Sequence, residues 1–298
     1  MQKKTDTASI PKGRLSRLGK LSSLAGRVAG NILAEGVSEL VKGNRPKIKD
    51  LLLTPSNAMR VADQLAQMRG AAMKVGQMIS MDAGDMLPAE LADLLARLRS
   101  DAKSMPEKEL ISLLKAEWGE SWQKKFIQFP LQPIAAASIG QVHKVITQDL
   151  KRLAVKIQYP GIKQSINSDV DNVATLIKMT GLLPKGLDIK PLLSEAKKQL
   201  HDEADYALEG QYLERYAAVI ENDDAFIMPV LDNEFSSDTI LAMSFVDGTP
   251  IEQLVNAPQA TRDQVMSHLM RLFLKNYLTS NWYKLTLTLL ITNMIKTP

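Results

Sequence analysis

Ala135-Ala136-Ala137-Ser138-Ile139-Gly140-Gln141-Val142-His143, followed by Ala154-Val155-Lys156-Ile157-Gln158, decides how this chain is read. Small residues lead into a strand, and a lysine sits on the next strand. Gln141 to Thr147 and Leu153 to Gln158 read as two strands around the polar turn Gln148 to Arg152, a hairpin. A small-residue loop of this kind can cover phosphates with backbone amides while the strand lysine contacts them. Alanines stand where glycines are expected, and alanine largely loses the positive-φ conformations that glycine uses to approach a phosphate. A second informative run, Lys74-Val75-Gly76-Gln77, lies upstream in a helical stretch from Arg69 to Asp82.

Working outward, the chain has 298 residues, 45% of them hydrophobic, enough for one or two cored domains. Its formal charge of +4 is modest. The excess sits at the start, in Lys3, Lys4, Lys12, Arg14, Arg17, Lys20 and Arg27. Such an arm suits an anionic lipid surface or nucleic acid, or is a solvated tail. With 5% aromatics and no interleaving of aromatic and basic residues, nucleic acid is not favoured. The absence of cysteine rules out a disulfide framework and a thiolate metal site and fits a reducing cytosol. No apolar run reaches transmembrane length, and the start lacks the apolar core of a secretory signal. A cytoplasmic protein that visits a membrane surface is the expectation.

Helical spacing runs over Leu21 to Val41, Ala58 to Met81, Pro88 to Leu98, and from Pro106 to just before Gly119. Residues 1–125 therefore read as all-helical. Beyond Pro130 come the hairpin, then helices over Ile162 to Leu182 and Lys190 to Glu221. Strands are expected at Phe226 to Leu231 and Thr239 to Phe245, a turn at Asp247 to Pro250, and a helix over Thr261 to Lys275. Strand pair, helices, strand pair, helix is the order of a protein-kinase N-lobe passing through a hinge into a C-lobe. The fold class is α+β, with residues 1–125 a helical extension, 126–248 the N-lobe and hinge, and 249–275 the start of a C-lobe.

These motifs resemble the UbiB/ABC1 family of atypical kinases, also called ADCK or AarF, from about Pro11 to about Lys275. Lys74, Gly76 and Gln77 match its K-x-G-Q motif and Ala135 to Gln141 its alanine-rich loop. Glu203-Ala204-Asp205 matches its E-x-D motif, with Glu209 six residues beyond Glu203. The resemblance implies a nucleotide site in which Ala135, Ala136, Ala137 and Ser138 cover phosphates. Lys156 holds those phosphates and pairs with Glu209; the alternative for such a lysine is snorkelling to the surface. It implies a lid in which Lys74, Gly76 and Gln77 meet Glu203 and Asp205 over the pocket, with a Lys74–Glu203 contact holding it shut. The alternative for these carboxylates is a solvated acidic turn. Met243, Ser244, Phe245 and Val246 correspond to the hinge, where backbone groups meet adenine. The implied cofactors are ATP or ADP with Mg2+. The implied role is ATP hydrolysis in support of ubiquinone biosynthesis at a membrane, with an anionic surface, isoprenoid lipid or ubiquinone-biosynthesis proteins as partners. A catalytically dead scaffold on the same fold is the competing reading. His143, His201 and His268 lack metal-like spacing, so no metal site is expected of them.

Past Lys275 no catalytic aspartate, metal-binding asparagine or second metal-binding aspartate is recognisable. Permitted codons for Asn281 to Pro298, read from the third base of each, spell L-V-Q-T-D-P-N-F-A-N-Y-Q-Y-D-K-N-T. That string contains the Q-T-D-P-N-x-x-N motif of the family. Residues 276–298 are therefore expected to be a frameshifted tail, and the chain as written is expected to be inactive.

Overall fold

The computed structural model describes Ala71, Lys74, Val75 and Met78, together with residues 104–180, 188–249 and 251–279. The chain divides into two compact units. One comprises Met1–Ile111, Ala136–Gln141 and Gln158–Ala204, the other Ser112–Ala135, Val142–Ile157 and Asp205–Pro298. Helices and a five-stranded sheet make an α+β protein.

In the first unit, Ala71, Lys74, Val75 and Met78 are helical, within the stretch expected from Arg69 to Asp82. Ala71 and Val75 are buried and Lys74 is half-buried. The other residues of that stretch, and the helices expected over Leu21 to Val41 and Pro88 to Leu98, lie outside the described residues. Two long helices follow in this unit, Ile162–Thr180 (α2) and Lys190–Glu203 (α3), packed on each other. The buried residues of α2, namely Ile166, Val170, Val173 and Ile177, recur at helical spacing, as do Leu193, Ala196 and Leu200 of α3. Lys197 bonds Asp171 across the pair at 2.6 Å. Gly161, at φ +74, makes the turn into α2 in a left-handed conformation that favours glycine.

The helix Glu107–Trp118 (α1) ends where expected, at Gly119. This glycine has φ +86 and donates its N–H to the Lys115 carbonyl at 2.9 Å, a left-handed helix cap. The strands are Phe126–Gln128 (β1), Ala135–Ala136 (β2), Gly140–Thr147 (β3), Arg152–Gln158 (β4) and Ile240–Ser244 (β5). Their order is β1-β3-β4-β5, with β2 beside β3. β4 runs antiparallel to β5, with Val155 opposite Ala242 and Lys156 opposite Leu241. The second unit also holds the helix Tyr206–Ile220 (α4), packed on β5, and the helix Gln259–Thr279 (α5). Trp118, Trp122, Phe126, Phe129 and Phe235 form an aromatic cluster in this unit, with ring centroids 5.0 to 6.4 Å apart.

Three local expectations are corrected. The single helix expected over Lys190 to Glu221 is two helices, α3 and α4, broken at Ala204-Asp205. At φ −98 and ψ 88 Asp205 leaves the helical region, and its carboxylate accepts the Leu208 N–H at 3.1 Å. Capping the new helix outweighs continuing the old one. Glu203 and Asp205 thus belong to the end of one helix and the cap of the next. The strand expected over Phe226 to Leu231 is only an isolated bridge from Leu231 to Met243, and Pro229 within it has no N–H to give a ladder. β1 was not expected at all, being three residues long and paired out of step with β3 through a bulge.

Candidate nucleotide site

The expected site residues gather into separate groups, one in the first unit and two in the second.

In the second unit, β4 carries Lys156 and α4 carries Glu209. The ammonium of Lys156 donates to Glu209 Oε2 at 2.8 Å, and the two side chains are 8% and 9% exposed. Snorkelling is thereby excluded: the lysine head stays inside and is paired. Apolar neighbours hold β4 in place, with Leu153, Val155 and Ile157 all buried. At Gly210 of α4 a Cβ would meet Leu231 Cδ2 at 3.1 Å and Leu241 Cδ1 of β5 at 3.7 Å. The Asp205 cap sets where α4 starts and hence where Glu209 falls, one turn in. A buried ammonium held by a single carboxylate oxygen can take phosphate oxygens on its remaining N–H groups.

The hinge residues form the second group. Met243 lies opposite Ala154 in the β4–β5 ladder. Ser244 donates its N–H to the Val230 carbonyl at 2.8 Å, and its hydroxyl accepts the Val230 N–H at 2.8 Å. Phe245 donates its N–H to the Arg152 carbonyl at 2.8 Å. Two amides of the expected hinge are therefore committed to the fold, and an adenine would have to meet other backbone groups of this stretch. Val246 is half-buried, and Lys144 Nζ lies 3.9 Å from the centre of the Phe245 ring.

In the first unit, Lys74, Glu203 and Ser138 meet. Glu203 Oε1 accepts from Lys74, and Oε2 accepts the Ser138 hydroxyl at 3.0 Å. Both members of the ion pair are about one-fifth exposed, at 17% and 23%. The carboxylate sits at the last residue of α3, a position fixed when the Gln158 side chain donates to the Ala204 carbonyl at 3.0 Å. Gly76 and Gln77 lie outside the described residues. In the alanine loop, Ala135 and Ala136 are exposed and extended as β2, while Ala137 donates its N–H to the Gly140 carbonyl at 2.8 Å. That amide is spent on closing the loop. Asp205 belongs by position to the E-x-D motif, yet its carboxylate caps α4.

Among the described residues no group of three or more His, Asp and Glu is placed to hold a metal ion. The donors described here do not make up a Mg2+ site. The buried strand lysine with its paired glutamate fits a phosphate oxygen.

A sheet with a buried strand lysine paired to a helix glutamate belongs to the protein-kinase-like class. The model of the ABC1 atypical kinase-like domain matches residues 97–284, and the chain belongs to that family. It is 39% identical over 281 residues to "Atypical kinase COQ8, mitochondrial" of Saccharomyces cerevisiae, covering 93% of this chain and 56% of that protein. It is 33% identical over 279 residues to "Atypical kinase coq-8, mitochondrial" of Caenorhabditis elegans, covering 91% of this chain and 37% of that one. A solved structure of an Rv3197–erythromycin complex from Mycobacterium tuberculosis matches at TM-score 0.44 and 25% identity over 78% of this chain and 56% of that chain. Against the two kinases, the chain spans about half the length or less. Membership of a kinase-like family implies use of a nucleotide. No described helix is long and apolar enough to cross a membrane.

Proposed function

We propose that this chain binds ATP or ADP, with Mg2+ completed by groups beyond the described donors, as the nucleotide lobe of an atypical kinase-like ATPase that supports ubiquinone biosynthesis. The observation that carries this is the buried Lys156–Glu209 pair at 2.8 Å. An unpaired buried ammonium is costly, so the glutamate holds the lysine in place until phosphate arrives. Ala135 to Ser138 cover the phosphates, with Ala137 restrained by its own loop. Met243 to Val246 flank the base. Lys74, Gly76, Gln77, Glu203 and Asp205 act as the lid, with the Lys74–Glu203 ion pair its closing contact. When bound, the magnesium nucleotide would supply the phosphoryl group and neutralise its charge.

The protein works in the cytoplasm against an anionic membrane surface, where isoprenoid lipid or other ubiquinone-biosynthesis proteins are its partners. The relatives' printed names place those proteins in mitochondria. The basic N-terminal residues supply the attraction to such a surface.

The test is binding of a fluorescent ATP analogue, with and without Mg2+, to the protein and to Lys156→Ala. Loss of at least tenfold in affinity is expected. Unchanged affinity in Lys156→Ala would sink the reading. Co-flotation with anionic vesicles without any nucleotide binding would favour a scaffold instead.

A further inference from the structure

We propose that Tyr206 is a positioning residue for Lys156: its ring and the Glu209 carboxylate together clamp the ammonium so that one direction is left for phosphate. The proposal rests on the nucleotide reading above and names a further residue of that site.

The residues Tyr206 and Glu209 are three apart on α4, so they share a face of the helix. Both reach the same ammonium. Glu209 Oε2 lies 2.8 Å from Lys156 Nζ, and the centre of the Tyr206 ring lies 4.8 Å from it. This is cation–π range, where a ring face attracts a cation through its quadrupole. The ring is 1% exposed, so water does not screen the attraction. Position 206 is also the first helical residue after the Asp205 cap, whose bond to Leu208 sets the direction in which α4 starts.

A lysine head is a compact point charge on a flexible stem with three N–H donors. Glu209 fixes one donor, and a carboxylate alone lets the head swing about that bond. The aromatic face takes a second direction, which restricts the swing. An ordinary core tyrosine needs only bulk and shape at this place. A clamping ring needs its electron-rich face. These two roles separate experimentally, because fluorine drains the quadrupole while barely changing shape.

The experiment replaces Tyr206 with phenylalanine and with mono-, di- and trifluorophenylalanine, and measures affinity for the fluorescent ATP analogue. Phenylalanine should bind within about twofold of the parent, since the ring face that meets the ammonium is kept. Affinity should then fall stepwise with each fluorine, to about fivefold weaker for the trifluoro ring, the loss a partly desolvated cation–π contact supplies. The same series in the Lys156→Met background should be flat. A flat series in the parent overturns the proposal, as does a loss in phenylalanine equal to that in the trifluoro variant. If Lys156→Ala itself leaves affinity unchanged, the nucleotide reading fails and the clamp fails with it. If Lys156→Ala weakens binding and the fluorine series is flat, only the clamp fails. Near-ultraviolet circular dichroism on each variant checks that the core is intact.

Discussion

Lys156 and Glu209 oppose each other in a place where neither charge is tolerable alone. Replacing Lys156 by Met leaves the Glu209 carboxylate buried without its cation, and should cost ~3–5 kcal/mol of stability. Adding Glu209→Leu removes the stranded charge and should recover most of that loss. Urea denaturation of the two single variants and the double variant measures this coupling. A loss in the double equal to the sum of the two single losses would mean that the pair is uncoupled and solvated. His143 makes a second residue-scale prediction. It is fully buried on β3, stacks on Phe129 at 5.5 Å, and bonds the Pro130 carbonyl through Nδ1 at 2.9 Å. Because a carbonyl only accepts, Nδ1 carries the proton. Burial pushes the imidazole pKa below its ordinary value, and the bond to Pro130 opposes this. Below about pH 6.5 the unfolded chain thus binds a proton that the folded chain resists. Stability should fall as pH drops below that value, by up to about 1.4 kcal/mol per pH unit, until the folded-state pKa is reached. His143→Gln keeps a donor toward Pro130 and cannot titrate. Its denaturation midpoint should vary less between pH 7 and about 5.5.

At the scale of elements, the break at Ala204-Asp205 matters most. Helical periodicity runs on through Lys190 to Glu221, and nothing in the spacing of apolar residues marks a stop. The signal was present, though: an aspartate followed three residues later by an N–H that it can accept is an N-cap pattern. It is hidden because the E-x-D motif and the helical spacing together place Glu203 and Asp205 on one continuous helix. The cap has an energetic consequence. Asp205→Ala should lose ~1 kcal/mol, and Asp205→Asn should lose much less, since asparagine caps equally well. Thermal unfolding distinguishes the two, and equal losses would show that the carboxylate's charge, not its hydrogen bond, matters. β3 was legible as a strand, but its inward face was not. Gln141, His143, Val145 and Thr147 point inward while Val142 and Ile146 are only half-buried. Hydropathy cannot choose that face. What does choose it is that the buried polar groups find partners: Gln141 accepts the Met105 N–H at 2.6 Å, and His143 reaches Pro130.

At the scale of the molecule, each unit has its own means of holding distant sequence together. In the second unit it is the aromatic cluster. Phe235 lies more than a hundred residues from Trp118 and Phe126 along the chain, yet its ring stands 5.7 and 5.1 Å from theirs. Phe235→Ala should therefore cost ~3–5 kcal/mol, as a buried aromatic truncated to a cavity does. A loss under about 1 kcal/mol in urea denaturation would mean that the cluster repacks around the gap. Low aromatic content gave no hint of this core, because its members are scattered between residues 118 and 235. The family was more legible. The alanine-rich loop, the strand lysine and the K-x-G-Q and E-x-D runs are local patterns, and local patterns survive in a one-dimensional text.

The sequence by itself determined the α+β class, the hairpin that carries Lys156, and the family. The elements follow from spacing along a single stretch, where neighbours in sequence are neighbours in space, and the family follows from the resemblance of short motifs. Only the tertiary structure decided which groups meet. It put the Tyr206 ring against Lys156, joined Ser138 to Glu203, set Asp205 to capping, and committed the Ala137, Ser244 and Phe245 amides to the fold. The reason is physical. A buried charge or amide takes whichever partner the packing brings within reach, and packing sums contacts from segments far apart in the chain, which no local pattern contains.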